Sequence, residues 1–228
     1  FISIFTFAQK PQLIFKSGFE PNTATILDTT GQRIKDFTGE DLSTGYDWES
    51  DLEADGRNFS MNYVDYTGGQ NPDMLGSRIV VDPTDSSNHI LYCWQKDAEW
   101  QEGGFWSRVQ GEITNINWVD VRYNVRFRLD SSIALANGES CDDLGISLFE
   151  VGGSPGFHLT RIKVFKWGSN HKGSDGKDPL TFRAEVRTPE KNHIFFESCG
   201  VEPKYGVWQE LEFYAKASAG NDGHYTVK

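Results

Sequence analysis

The chain has 228 residues, 23 of them glycine, with 14% aromatic residues and a formal net charge of −11. That length suits one all-β sandwich, and the glycine and aromatic content favours turns and strands over helices. The acidic balance argues against a nucleic-acid backbone as partner, because phosphate binding needs a basic surface, although a local basic patch remains compatible with it.

Phe1 to Ala8, FISIFTFA, is an apolar run ahead of Gln9-Lys10-Pro11. It is too short to span a membrane. It has the character of the end of a secretory signal peptide, with the small residues Thr6 and Ala8 before a cleavage point. A first β-strand is the alternative. No other apolar run is long enough for a transmembrane helix, so no membrane partner is expected. The expected setting is secreted, periplasmic or extracellular, with one sandwich domain over 9–228.

Period-two alternation then recurs between clusters of Gly, Asn, Asp and Pro. It predicts strands at 12–19, 77–81, 90–95, 105–113, 121–129, 145–151, 157–167, 180–187, 193–198, 207–217 and 225–228. Segment 20–75 is less regular, with turn signals and one helical turn near 47–53. Asn221-Asp222-Gly223 reads as a tight hairpin turn. The strand begun by HYTVK reads as unfinished, so the chain is expected to continue past Lys228. Eleven antiparallel strands without helices imply two stacked sheets, an all-β jelly roll. The curved face of such a jelly roll suits a polysaccharide.

Three strands carry the chemistry. In GGFWSRVQGEI, Phe105, Ser107, Val109, Gly111 and Ile113 share one face, and Trp106, Arg108, Gln110 and Glu112 share the other. In the next strand Val121, Tyr123, Val125, Phe127 and Leu129 oppose Arg122, Asn124, Arg126 and Arg128. In 207–217, Trp208, Glu210, Glu212, Tyr214 and Lys216 share a face. If the first two strands are neighbours, several guanidiniums share one sheet surface. Arginine forks match carboxylates and sulfates bidentately, so an acidic, uronate-containing or sulfated polysaccharide is the expected ligand. The alternative is an outer face of Arg–Glu cross-strand pairs, each worth about 0.2–1 kcal/mol.

His158, between Phe157 and Leu159, is the best-placed base, against a purely structural role. Tyr225, after the last hairpin, can exchange a proton at a groove rim. No His/His/carboxylate spacing suggests zinc. A structural calcium held by Asp and backbone oxygens stays open, with no motif behind it. Cys93, Cys141 and Cys199 form no CxxC motif; either Cys141–Cys199 is a disulfide or all three are buried thiols. Trp94, in ILYCWQ, reads first as core and second as a sugar platform. Glu210 and Glu212, about 7 Å apart on one strand face, leave glycoside hydrolysis as a weaker alternative. There is no GxSxG elbow, P-loop or GxGxxG.

The run FWSRVQGEI, followed by a long alternating strand, resembles the Arg-x-x-x-Glu strand of the heparin-lyase-like and glucuronan-lyase-like polysaccharide lyases. PLTFRAEVRTP and YGVWQELEFYAKASAGNDGHYTV resemble their Gly-x-Trp strand and the hairpin after it. KSGFEPNT resembles the first strand of concanavalin-like sandwich proteins. The resemblance implies a concanavalin-like β-jelly roll that cleaves acidic polysaccharide by β-elimination; a monomer is expected. In that chemistry Arg, Asn or Gln neutralises the uronate carboxylate and stabilises the enolate. A His or Tyr then takes the C5 proton, and a Tyr protonates the leaving oxygen. The motif match gives Arg108 the neutralising role and Glu112 a positioning one; Gln110 joins through the shared face. The chain departs from the pattern at GISLFEVGG, where Phe149 and Glu150 stand in place of a histidine. A non-catalytic, lectin-like carbohydrate-binding domain using Trp94, Trp106 and the Arg122–Asn124–Arg126 row is the second reading.

Overall fold

A computed structural model describes residues 13, 16–20, 22–42, 44–48, 52, 56–64, 69, 71–96, 108–115, 120–131, 146–151, 160–166, 180–187, 193–197, 201–216 and 224–228. Its contacts divide the chain into two compact units, Phe1–Asn117 and Trp118–Lys228. Among the described residues the fold is all-β, with fifteen strands and no α-helix.

The first unit holds β1 (Ala24–Leu27), β2 (Ile34–Thr38), β3 (Glu40–Asp41), β4 (Tyr46–Asp47), β5 (Asn58–Val64), β6 (Leu75–Asp82), β7 (Asp85–Gln95) and β8 (Arg108–Thr114). They pair antiparallel as β1–β2, β3–β4, β5–β8 and β6–β7. Five of these strands, β1 to β5, lie in the irregular segment 20–75; the first four are too brief for alternation to be read, and turns set their structure. Between β1 and β2, Gly31 takes a left-handed φ of 70°. The Asp28 carboxylate accepts from the Thr30 hydroxyl at 2.6 Å and the Thr30 amide at 3.1 Å, and Arg33 pairs with it at 2.8 Å. The Thr30 hydroxyl first, then Arg33, hold the Asp28 carboxyl well below the usual carboxylate range.

Residues 16–19, expected in a first strand, are not in one. They are tied instead to Asp41, which is fully buried. Its carboxylate accepts from the Ser17 hydroxyl at 3.0 Å and the Gly18 amide at 2.6 Å, so the cost of burying a charge is offset by hydrogen bonds. The helical turn expected near 47–53 falls mostly outside the described residues; Asp47 belongs to β4, and Trp48 and Leu52 are buried. The core of this unit is aromatic. Trp48 stacks on Phe37 at 4.6 Å and meets Phe59 edge-on at 5.2 Å. Tyr63 donates to the Ile34 carbonyl at 2.6 Å and shares a hydrogen bond with the Ser77 hydroxyl, which satisfies the polar end of a buried ring.

The second unit holds β9 (Asp120–Arg128), β10 (Ile146–Val151), β11 (Thr160–Lys166), β12 (Leu180–Arg187), β13 (His193–Glu197), β14 (Trp208–Lys216) and β15 (His224–Val227). One sheet runs β10-β11-β12-β13 in chain order and the other runs β15-β14-β9, with every ladder antiparallel. Leu211 and Phe213 of β14 pack with Ile162 of β11, with Val121, Tyr123, Val125 and Phe127 of β9 against them. Fully burying such a side chain contributes about 1.5–3 kcal/mol. This apolar face dictates that the alternate residues of β9 and β14 turn away from it.

Candidate functional site

The β9–β14 register sets Arg128 opposite Trp208, Arg126 opposite Glu210, Asn124 opposite Glu212 and Arg122 opposite Tyr214. The intervening pairs, Val125 with Leu211 and Tyr123 with Phe213, belong to the core. Alternation therefore delivers two polar rows side by side, as the sequence implied for each strand. Arg122, Asn124, Arg126 and Glu210 are exposed; Trp208, Glu212 and Tyr214 are half-buried.

The pairing within this surface is not the simple Arg–Glu ladder that a solvated face would offer. The Asn124 amide donates to Glu210 at 2.7 Å. The Arg126 guanidinium lies over the Trp208 ring, 5.1 Å from its centroid, a distance that supports a cation–π attraction. Lys228 meets Glu212 at 3.5 Å. Among the described residues, neither Arg122 nor Arg126 has a carboxylate within ion-pair distance. Arg122, Arg126, Arg128 and Lys228 outnumber Glu210 and Glu212 here, on a chain of net charge −11. Beneath the surface, burial pushes the Tyr123 hydroxyl up to about 12, so this tyrosine is neutral at ordinary pH.

The β8 row differs. Arg108, Gln110 and Glu112 do share a face, and Val109 and Ile113 pack on the first unit's core. Gly111 fits there because an added Cβ would meet the Phe59 ring at 3.2 Å. Arg108 is exposed and its Nη1 donates to the Gln110 side-chain oxygen at 3.5 Å. The partner strand is β5, which sets Val64 opposite Arg108, Asn62 opposite Gln110 and Ser60 opposite Glu112. The expected shared sheet of Arg108, Gln110 and Glu112 with Arg122, Asn124 and Arg126 is therefore corrected. β8 pairs with β5 and β9 pairs with β14, in different units. Alternation fixes which face a residue takes; it does not choose the neighbouring strand.

Trp106 and His158 lie outside the described residues, as do Cys141 and Cys199. Tyr225 stands opposite Ala215 in the β14–β15 ladder, whereas the polar row passes through the Tyr214–Thr226 pair. Its backbone position thus alternates with the arginine row instead of continuing it. Cys93 is a free cysteine, exposed as a residue, while burial around its sulfur pushes the thiol up to about 12. Among the described residues no group of three or more His, Cys, Asp or Glu could hold a metal ion.

The sequence placed Trp208, Glu210 and Tyr214 on one face, but that face entered only as the weaker hydrolase alternative, through Glu210 and Glu212. The signal was present: the same period-two rule that selected Arg126 puts Trp208 on a polar row. It also read Trp94 first as core. Trp94 is absent from the core cluster and stacks instead on Tyr92, at 5.9 Å between centroids. No family model, no curated protein and no solved structure matches this chain.

Proposed function

We propose that this chain binds an acidic polysaccharide on the Arg–Trp surface of β9 and β14, on a concanavalin-like jelly-roll scaffold in a secreted setting. One observation carries the reading: Arg126 lies over Trp208 while, among the described residues, it and Arg122 have no carboxylate partner. Such an arrangement leaves guanidinium donors to take a carboxylate or sulfate bidentately. The indole offers an apolar plane for the C–H face of a sugar, and Asn124 with Glu210 offers a donor and an acceptor for hydroxyls.

The test is titration with polymers of galacturonate, glucuronate and mannuronate, beside a neutral glucan. Binding of an acidic polymer is expected, weakening as salt rises. Arg126→Ala and Trp208→Ala should each reduce it about tenfold. Equal binding of the neutral glucan, or no effect of either substitution, overturns the reading.

The lyase reading keeps one observation, the exposed contact of Arg108 with Gln110. That pair supplies the donors that neutralise a uronate carboxylate as its C5 proton leaves, with His158 as the base and Glu112 positioning Arg108. Incubation with the same polyuronates separates the two. Unsaturated uronate product, abolished by Arg108→Ala, assigns β-elimination; binding without product assigns the lectin-like function.

A further inference from the structure

We propose that the β6–β7 hairpin carries a second, separate subsite for an acidic saccharide, formed by Tyr92, Trp94 and Arg78. The inference rests on the glycan-binding reading above but on a different unit of the chain.

The register sets Gly76 opposite Trp94 and Arg78 opposite Tyr92. These four therefore share one face of the hairpin, alternating with Leu75, Ser77 and Leu91, which serve the core. The face is not a continuation of that core: neither Tyr92 nor Trp94 belongs to the cluster or packs against it. The two rings lie within 20° of parallel. Gly76 is what lets the indole sit down on the strand pair. An added Cβ there would collide with Cζ2 of Trp94. The backbone of Gly76 needs no left-handed φ, so the glycine is explained by the indole.

Arg78 completes the arrangement. Its guanidinium is 5.6 Å from the Tyr92 centroid and 5.5 Å from that of Trp94. It is exposed, and among the described residues it forms no ion pair or hydrogen bond. A guanidinium held by rings alone keeps all five N–H donors for an external acceptor. Charge complementarity selects the occupant: a saccharide with a carboxylate or sulfate for Arg78 and an apolar ring face for the aromatics. A neutral sugar satisfies the rings and leaves the cation without an anion. A guanidinium that merely covers two rings is the competing account, and it requires no ligand.

The experiment is calorimetric titration of the full chain with a galacturonate trisaccharide and with the neutral galactose trisaccharide. Two equivalents of the acidic trisaccharide are expected to bind. Arg78→Gln keeps the first carbons of the side chain, removes the guanidinium and should leave one equivalent; Trp94→Phe should weaken that same equivalent about tenfold. Arg126→Ala should remove only the other. Two undiminished equivalents in Arg78→Gln and Trp94→Phe overturn the inference and leave the β9–β14 reading standing. A single wild-type equivalent lost in Arg126→Ala does the same. No binding by the wild-type chain overturns both.

Discussion

Arg108, Gln110 and Glu112 on β8 and Arg122, Asn124 and Arg126 on β9 follow the same alternation, each over an apolar opposite face. They differ in the company that the neighbouring strand supplies. β5 brings Ser60, Asn62 and Val64 beside the first row, with no aromatic plane and no charge. β14 brings Trp208, Glu210 and Tyr214 beside the second. On β8 the arginine turns to its own strand, reaching Gln110. On β9 it crosses to the neighbour's indole. A polar strand face becomes a binding surface through its partner strand, because cross-strand neighbours set the chemistry of each face.

The comparison breaks first at its support. Phe213 is fully buried and lies directly under the β9–β14 rows. Phe213→Ala should cost about 3–5 kcal/mol in chemical denaturation and should abolish acidic-polymer binding with it. A cost below about 1 kcal/mol would mean that this core does not hold the surface in place.

Alkaline titration sharpens the same point. The folded-state value of Tyr123, about 12, stands above that of an unfolded tyrosine, near 10. Its stabilising effect is whole below about pH 10 and is lost as pH rises through the folded value. The loss should be on the order of 2 kcal/mol, and Tyr123→Phe should remove that part of the pH dependence. An unchanged profile in Tyr123→Phe would place the alkaline transition elsewhere.

Two smaller effects distinguish the rows themselves. Glu210→Gln removes a carboxylate but keeps an acceptor for Asn124. It should tighten acidic-polymer binding about two- to fivefold at low salt; weaker binding would mean that the sugar hydroxyls need the carboxylate itself and not an amide acceptor. Arg108→Ala, on the exposed β8 row, should change stability by no more than about 0.5 kcal/mol. A larger change in thermal unfolding would show that Arg108 is a structural residue.

Long alternating segments were legible in advance. β12 has the expected bounds 180–187, and β9 and β14 match their expected strands to within a residue. Nine residues of clean alternation over a buried face leave little freedom of face. β1 to β4 were not legible. They are two to five residues long, and contacts such as Asp28 with Thr30 and Asp41 with Ser17 shape them more than periodicity does. Trp94 was misread for a related reason. Its strand is apolar on both faces, so the pattern gave two sides without saying which one met the core.

By itself the sequence determined the all-β class, the positions of β9, β12 and β14, and which side chains of β8, β9 and β14 travel together. Those follow from local geometry: successive residues of a strand point to opposite faces, and burial chooses one of them. Only the tertiary structure decided which strands pair. It joined β8 to β5 and β9 to β14, placed Trp208 beneath Arg126, and set Trp94 over Gly76. Pairing depends on contacts between residues far apart in the chain, such as Asn124 and Glu210, and no local pattern encodes them.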